Sequence, residues 1–455
     1  MIPVLRPASA LLRLLPQSWR LRVQSVSHEN KAILRGMAWV VVFLLGAKIV
    51  AALKEMLVAY RYGASALVDG YLFTFNLANW PVSVFYSVAS FIFIPVLVRL
   101  RTRSPEDGRQ LQAEMLGLSL VLSIVLALLA WLLLPWIINS PWVGLNAQAR
   151  EAALASVPWC AGVIALGMLA SLYSTWLMSG RRHANTFLEC LPALGIGLFL
   201  FLWPWDTGNP TLEPMLWGMF AGFVGQLGLL MVAHADAVRP AIALRSPHWQ
   251  EIYRSFGIML AAQVVMTSTG LVDQFLLARL PEGSIATFGY AQRVMALVLG
   301  LSATAIGRAM LPVLSAVKDQ REAWILARRW AVRLFWLGCL GAGALAISAH
   351  VIVALLFQRG AFDAEASRSV ANTLMALGMQ LPFYLAGIVL VQWIGAVRKP
   401  ALLLIAASVA ALSKILAGWW WLSYGTIGVA MATAVMYLVS TAAIAIFASG
   451  SSISD

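Results

Sequence analysis

Charge is scarce in this chain. Only 11% of its 455 residues are Asp, Glu, Lys or Arg, against roughly 25% in a soluble domain, which excludes an ordinary water-soluble globule. Cysteine is scarcer still. Cys160, Cys190 and Cys339 stand far apart inside apolar segments, so neither a disulfide framework nor a Cys/His metal site is indicated. The five histidines are equally scattered. The sequence has no GxxxxGK[ST] loop, and hence no nucleotide motor of that kind, and no GxSxG or HExxH pattern. These absences weigh against an enzyme without excluding one, and the expectation is a non-enzymatic protein with no cofactor.

What is abundant is apolar length. Hydrophobic residues make up 61% of the chain, in runs of about twenty or more, the length a spanning helix needs. Barrel strands would alternate in polarity over about ten residues, and these runs do not. The expectation is an all-α polytopic membrane protein with twelve transmembrane helices. Six lie in a first lobe at 35–234 and six in a second at 253–448, joined by a cytoplasmic linker at 235–252. Expected spans include 113–138, 185–204, 331–357 and 369–396. A basic arm at 1–34 and a short tail at 449–455 flank them. Basic residues crowd the loops on one side, as at Arg99, Arg101, Arg103, Arg245, Arg328 and Arg329; the opposite loops carry Arg61, Arg150, Arg279, Arg359 and Arg368. This asymmetry places both termini in the cytoplasm. It also accounts for much of the +13 net charge without a nucleic-acid partner.

A few charges fall inside spans, where each costs ~2.5–3.5 kcal/mol on insertion scales and so usually faces a bundle interior or wet cavity. The cations are Lys48, Lys54, Arg293, Arg308 and Lys414; the acids are Glu55, Asp69, Glu189 and Asp273. Lys48 and Glu55 are two helical turns apart and share a face. One reading is a structural ion pair with snorkelling lysines; the other is a cationic cavity that attracts an anion. Asp273 has no basic residue at i±3 or i±4. It is expected either to hold a proton or cation that couples transport to a gradient, or to pair with a residue on another span.

The chain repeats itself. Leu57, Ala59, Ser65, Gly70 and Tyr71 recur 219 residues on as Leu276, Ala278, Ser284, Gly289 and Tyr290. Pro95-Val96-Leu97 recurs as Pro312-Val313-Leu314, and the segment 176–184 resembles 393–401, both at an offset of 217. A repeat of six spans gives two lobes running in the same direction, related by a pseudo-two-fold axis along the membrane normal, with substrate between them.

At these residues the chain resembles the MurJ/MviN lipid II flippases of the multidrug/oligosaccharidyl-lipid/polysaccharide (MOP) superfamily. The matching elements of the first two helices are Lys48, Lys54-Glu55, Tyr62-Gly63-Ala64, Asp69-Gly70-Tyr71 and Ala78-Asn79. In the second half they are Gly283-Ser284, Gly289 to Arg293, and Met310-Leu311-Pro312, with an FxxGxF element at Phe357, Gly360 and Phe362. The resemblance implies a bacterial inner-membrane flippase. It would move an undecaprenyl-diphosphate-linked glycan, either lipid II or an exopolysaccharide or O-antigen unit, by alternating access. It implies Lys48, Lys54, Arg293 and Asn79 as substrate-binding residues, Glu55 and Asp69 as gating ion-pair residues, and Asp273 as a coupling site. Sodium, protons or the membrane potential would drive transport. Membrane lipids and proteins of cell-wall or polysaccharide synthesis would be its partners. The sequence also departs from the family. Lysines replace arginines in the first helix, no arginine follows Asn79, no acid precedes Pro400, and the family's two extra C-terminal helices are missing. Two other classes are a drug or organic-cation antiporter, which would favour an acidic cavity, and a non-transporting membrane scaffold.

Overall fold

The structure, a computed structural model, describes residues 46–180, 185–204, 210–234, 238–317, 319–397 and 400–451. The basic arm at 1–34 and residues 452–455 lie outside the described residues. Within them the chain is helical, with no strand. The helices are α1 (46–62), α2 (Ala66–Arg103), α3 (Pro105–Ile138), α4 (Ala147–Ser179), α5 (Leu191–Leu202), α6 (Glu213–His234) and α7 (Trp249–Leu277). They continue with α8 (Ser284–Ala316), α9 (Gln320–Phe357), α10 (Ala364–Gly378), α11 (Leu381–Val397), α12 (Pro400–Trp420) and α13 (Gly425–Ser451).

Local chemistry sets the ends. Pro105 opens α3, where its missing N–H costs nothing. Asn146 and Asp363 cap α4 and α10, accepting from Ala149 N (2.7 Å) and Ala366 N (2.8 Å). Nine helices among the described residues are long and apolar enough to cross a membrane, or ten if α10 and α11 form one bent span. The other two of the expected twelve segments are α1, described only from residue 46, and α5, which has 12 residues.

Two expected spans differ in shape. The run 369–396 is broken: α10 and α11 meet at a 42° bend, and Pro382, which supplies no N–H and crowds the preceding turn, lies just past the break. The span expected at 331–357 begins at Gln320. Its first turns are too charged to read as membrane, yet Ala323, Ala327 and Ala331 recur every four residues and pack into a core with Leu314 and Trp393.

The repeat is visible in the packing. In the first half α2 packs on α4, α3 on α4, α5 on α6, and α4 on α6. In the second, α8 packs on α10 and α11, α9 on the same bent pair, α12 on α13, and the pair on α13. These are the same pairings displaced by six segments. Among the helices from α2 onward, the halves meet where α2 lies against α7 and α8.

The connection between the halves is fastened to the first. Glu114 on α3 is buried, and its carboxylate accepts from Arg245 N (3.0 Å), Ser246 N (3.1 Å), Trp249 Nε1 (2.6 Å) and Gln110 Nε2 (3.0 Å). Ala241 N adds a bond to Ala113 O (2.9 Å). A buried carboxylate is tolerated where several donors meet it. Glu114→Ala leaves those donors unmatched, at about 1–3 kcal/mol for a buried group. Trypsin should then cut after Arg245 faster than in the parent protein; an unchanged rate would show that the clamp does not hold the connection.

Candidate substrate cavity and interlobe seam

Lys54 and Glu55 are adjacent on α1, and Arg293 lies one turn past Tyr290 on α8. The fold brings all three together across the two halves. Glu55 is buried and takes one cation on each oxygen: Oε1 pairs with Lys54 Nζ and Oε2 with Arg293 Nη1. Beside this triad is a cavity of about 320 Å³ lined by Lys48, Lys54, Glu55, Met56, Arg293 and Leu356, among others. Lys48 is exposed. Three cations and one carboxylate therefore share a recess whose remaining wall is largely apolar, which leaves an excess of positive charge where water is limited.

Asp69 is elsewhere. Its carboxylate crosses to the other half and caps α8, accepting from Gly283 N and Ala286 N, both at 2.7 Å. Glu282, at the foot of α8, reciprocates by accepting from Ala66 N at the start of α2 (3.0 Å). Each half thus supplies the anion for the other half's helix N-terminus, where free N–H groups and the helix dipole favour negative charge. Tyr290 Oη donates to Gly63 O (3.1 Å), and Ala361 N donates to Tyr60 O (2.8 Å). Gly63 and Gly360 sit at this seam with φ of +60°, and a Cβ on Gly63 would lie 2.6 Å from Ala361 O, so the close approach needs glycine. Phe357 and Phe362 of the FxxGxF element pack on the Tyr290 ring at 5.2 and 5.5 Å. The arginine-poor end between the halves is sealed by these contacts, and the cationic cavity lies inward of the seal. Asp69→Ala removes two charge-assisted bonds worth about 1.5–3 kcal/mol each. We expect a cysteine at Ala64 to label faster with a membrane-impermeant maleimide in that variant; equal labelling would count against a seal held by Asp69.

The remaining expected residues are placed as follows. Asn79 turns to its own helix, where Nδ2 reaches Ser83 Oγ at 3.4 Å, and it does not line the cavity. Glu189 accepts from Tyr86 Oη at 3.4 Å. The side chain of Arg308 lies outside the described residues. Asp273 on α7 pairs with Lys414 on α12 at 2.8 Å, and both side chains are only 3% exposed. Of the two readings of Asp273, the geometry has the pair across spans. Sequence reasoning missed Glu282 and Glu114 as partners of backbone N–H groups. Their signals were faint: an acid directly before the Gly283-Ser284 turn, and another at the margin of an expected span.

The MurJ lipid II flippase model matches residues 58–451. The chain belongs to this family. Among MurJ relatives, the probable lipid II flippase of Rhizobium meliloti is 23% identical over 355 residues, 75% of this chain and 66% of that protein. The lipid II flippase MurJ of Burkholderia cenocepacia is 25% identical over 383 residues, 79% of this chain and 72% of that one. The chain thus spans about two thirds of the length of the curated relatives it matches. Among solved structures, a MurJ in an inward closed conformation aligns with TM-score 0.77 at 18% identity, covering 90% of this chain and 87% of that one. An inward-facing multidrug MATE transporter of the MOP superfamily aligns at 0.71 and an outward-facing one at 0.59, both 13% identical. They cover 90% of this chain, and 97% and 93% of theirs. The MurJ fold is that of this chain.

Proposed function

We propose that this protein carries a diphosphate-linked glycan lipid across the bacterial inner membrane by alternating access, with its arginine-rich loops and both termini in the cytoplasm. The observation that carries this reading is the Lys54–Glu55–Arg293 triad. A carboxylate from one half is held by one cation from each half, at the edge of a cavity with positive charge to spare. A diphosphate needs several donors on leaving water. Arg293 can meet it with a planar fork and the lysines with point charges. An entering diphosphate competes with Glu55 for the same two cations. Its arrival loosens the one ion pair in the triad that ties the halves together, beside the capped seam. Binding thereby has different free energies in the two states, the requirement for a ligand to move an equilibrium. Gradient coupling, in this proposal, runs through the Asp273–Lys414 charge pair. An excess of cavity cations over acids disfavours an organic-cation antiporter.

The test is flipping in proteoliposomes. A fluorescent lipid II analogue and an undecaprenyl-diphosphate-linked exopolysaccharide unit are each placed in one leaflet, and loss from that leaflet is followed with a membrane-impermeant quencher. Flipping of either glycan lipid above protein-free vesicles supports the proposal and names the glycan. Flipping of neither, by protein that is folded by its thermal transition, refutes it and leaves the scaffold reading.

A further inference from the structure

A second donor-lined recess lies at the arginine-rich end of the first half, remote in sequence from the triad. It is a cavity of about 270 Å³ between α2, α3, α4 and α6, and its polar wall includes Arg101, Arg109, Gln112, Trp176 and His234. No carboxylate lines it among the described residues. Neither Arg101 nor Arg109 forms an ion pair or hydrogen bond among the described residues. The neighbouring acceptors are already used: Trp176 O takes Ser179 Oγ (2.7 Å) and Gly180 N (3.1 Å), and Leu177 O also takes Gly180 N (3.1 Å). Trp176 is 2% exposed, and its Nε1–H has no acceptor among the described residues. Buried N–H groups seldom stay unmatched. Gly180 leaves room for the guanidinium of Arg101, since a Cβ there would lie 2.9 Å from Nη1.

We infer that the Arg101–Arg109 recess binds a phosphate ester, the guanidinium groups meeting the phosphate oxygens and the Trp176 side chain closing the inner wall. Donors without acceptors select an anion, and arginine pairs select phosphate geometry. The phosphate can belong to a soluble molecule or to an anionic phospholipid whose chains lie along the apolar wall at Leu97 and Leu177.

The full chain carrying 5-fluorotryptophan, in phosphatidylcholine nanodiscs, supplies the test, with the Trp176 fluorine resonance assigned through Trp176→Phe. Inorganic phosphate is titrated in one arm; in the other, phosphatidylglycerol replaces part of the phosphatidylcholine. We expect the Trp176 resonance to shift in at least one arm. The arm that responds identifies a soluble or a lipid phosphate. Arg101→Gln with Arg109→Gln should weaken the response by about ten-fold or more, with the other tryptophan resonances unchanged. Lys54→Ala should leave it intact, so failure of the triad proposal would not disturb this result. No shift in either arm, or an equal shift with chloride (an adventitious ion only), or a response insensitive to the arginine substitutions, would overturn the inference.

Discussion

Asp273→Asn should cost the fold about 3–5 kcal/mol, the penalty for stranding one member of a buried ion pair. The partner left behind is Lys414, whose ammonium is held at 2.8 Å in a site where both side chains are 3% exposed. Lys414→Met should cost a similar amount by stranding the carboxylate. The double variant, Asp273→Asn with Lys414→Met, should recover most of the loss, because replacing a buried pair by well-packed neutral groups is often neutral or stabilising. Denaturation midpoints of the three variants in one detergent decide the matter. Additive losses in the double variant would mean that the two groups do not depend on each other. The same proteins separate stability from coupling. If gradient coupling runs through the pair, the stable double variant should flip substrate at a rate indifferent to the ion gradient.

Arg293→Ala should reduce flipping by roughly a hundred-fold, the scale of a lost charge-assisted, two-pronged contact to phosphate. Lys48→Ala should cost less, since its ammonium sits exposed beyond the triad and offers a point charge. Arg293→Lys should keep part of the activity if charge outweighs geometry. Arg293 also holds Glu55 from the other half, so loss of the gate and loss of the phosphate contact must be told apart. The charge swap does this: Glu55→Arg with Arg293→Glu can rebuild a bridge between halves but places a carboxylate where the phosphate would sit. Flipping by the swapped protein at the parent rate would refute substrate binding by Arg293 and leave it a gate alone.

Much of this was legible in the sequence because the membrane makes strong demands. Apolar length shows α3, α4, α6 and α13 with little ambiguity, and the cost of charge at depth picks out Lys54, Glu55 and Arg293 before their meeting is seen. The helical start of α9 at Gln320 was hidden because its stripe is made of alanines set among arginines, a pattern that hydropathy reads as a loop. Asp69 and Glu282 were opaque for another reason. Their partners are backbone N–H groups of the opposite half, and every residue carries such a group, so nothing in the sequence distinguishes the one that is used. Lys414 and Asp273 are 141 residues apart; each was visible as a charge in a span, and only the packing of α12 on α7 joins them. Asn79 shows the converse failure. Its motif fitted, but one turn along its own helix Ser83 takes up its amide.

The exchanged caps on α2 and α8 bear on how the chain is made. Synthesis runs from the N-terminus, and domains tend to fold in that order. When α2 enters the membrane, Ala66 N has no acceptor and Asp69 has no donors, because residues 282–286 do not yet exist. The first half therefore waits, with a buried-to-be carboxylate and an open helix end, until the start of α8 is delivered beside it. Neither half can complete its own seam. A chain stopped after α6 should be a preferred substrate for membrane proteases, and supplying the second half as a separate polypeptide should rescue it.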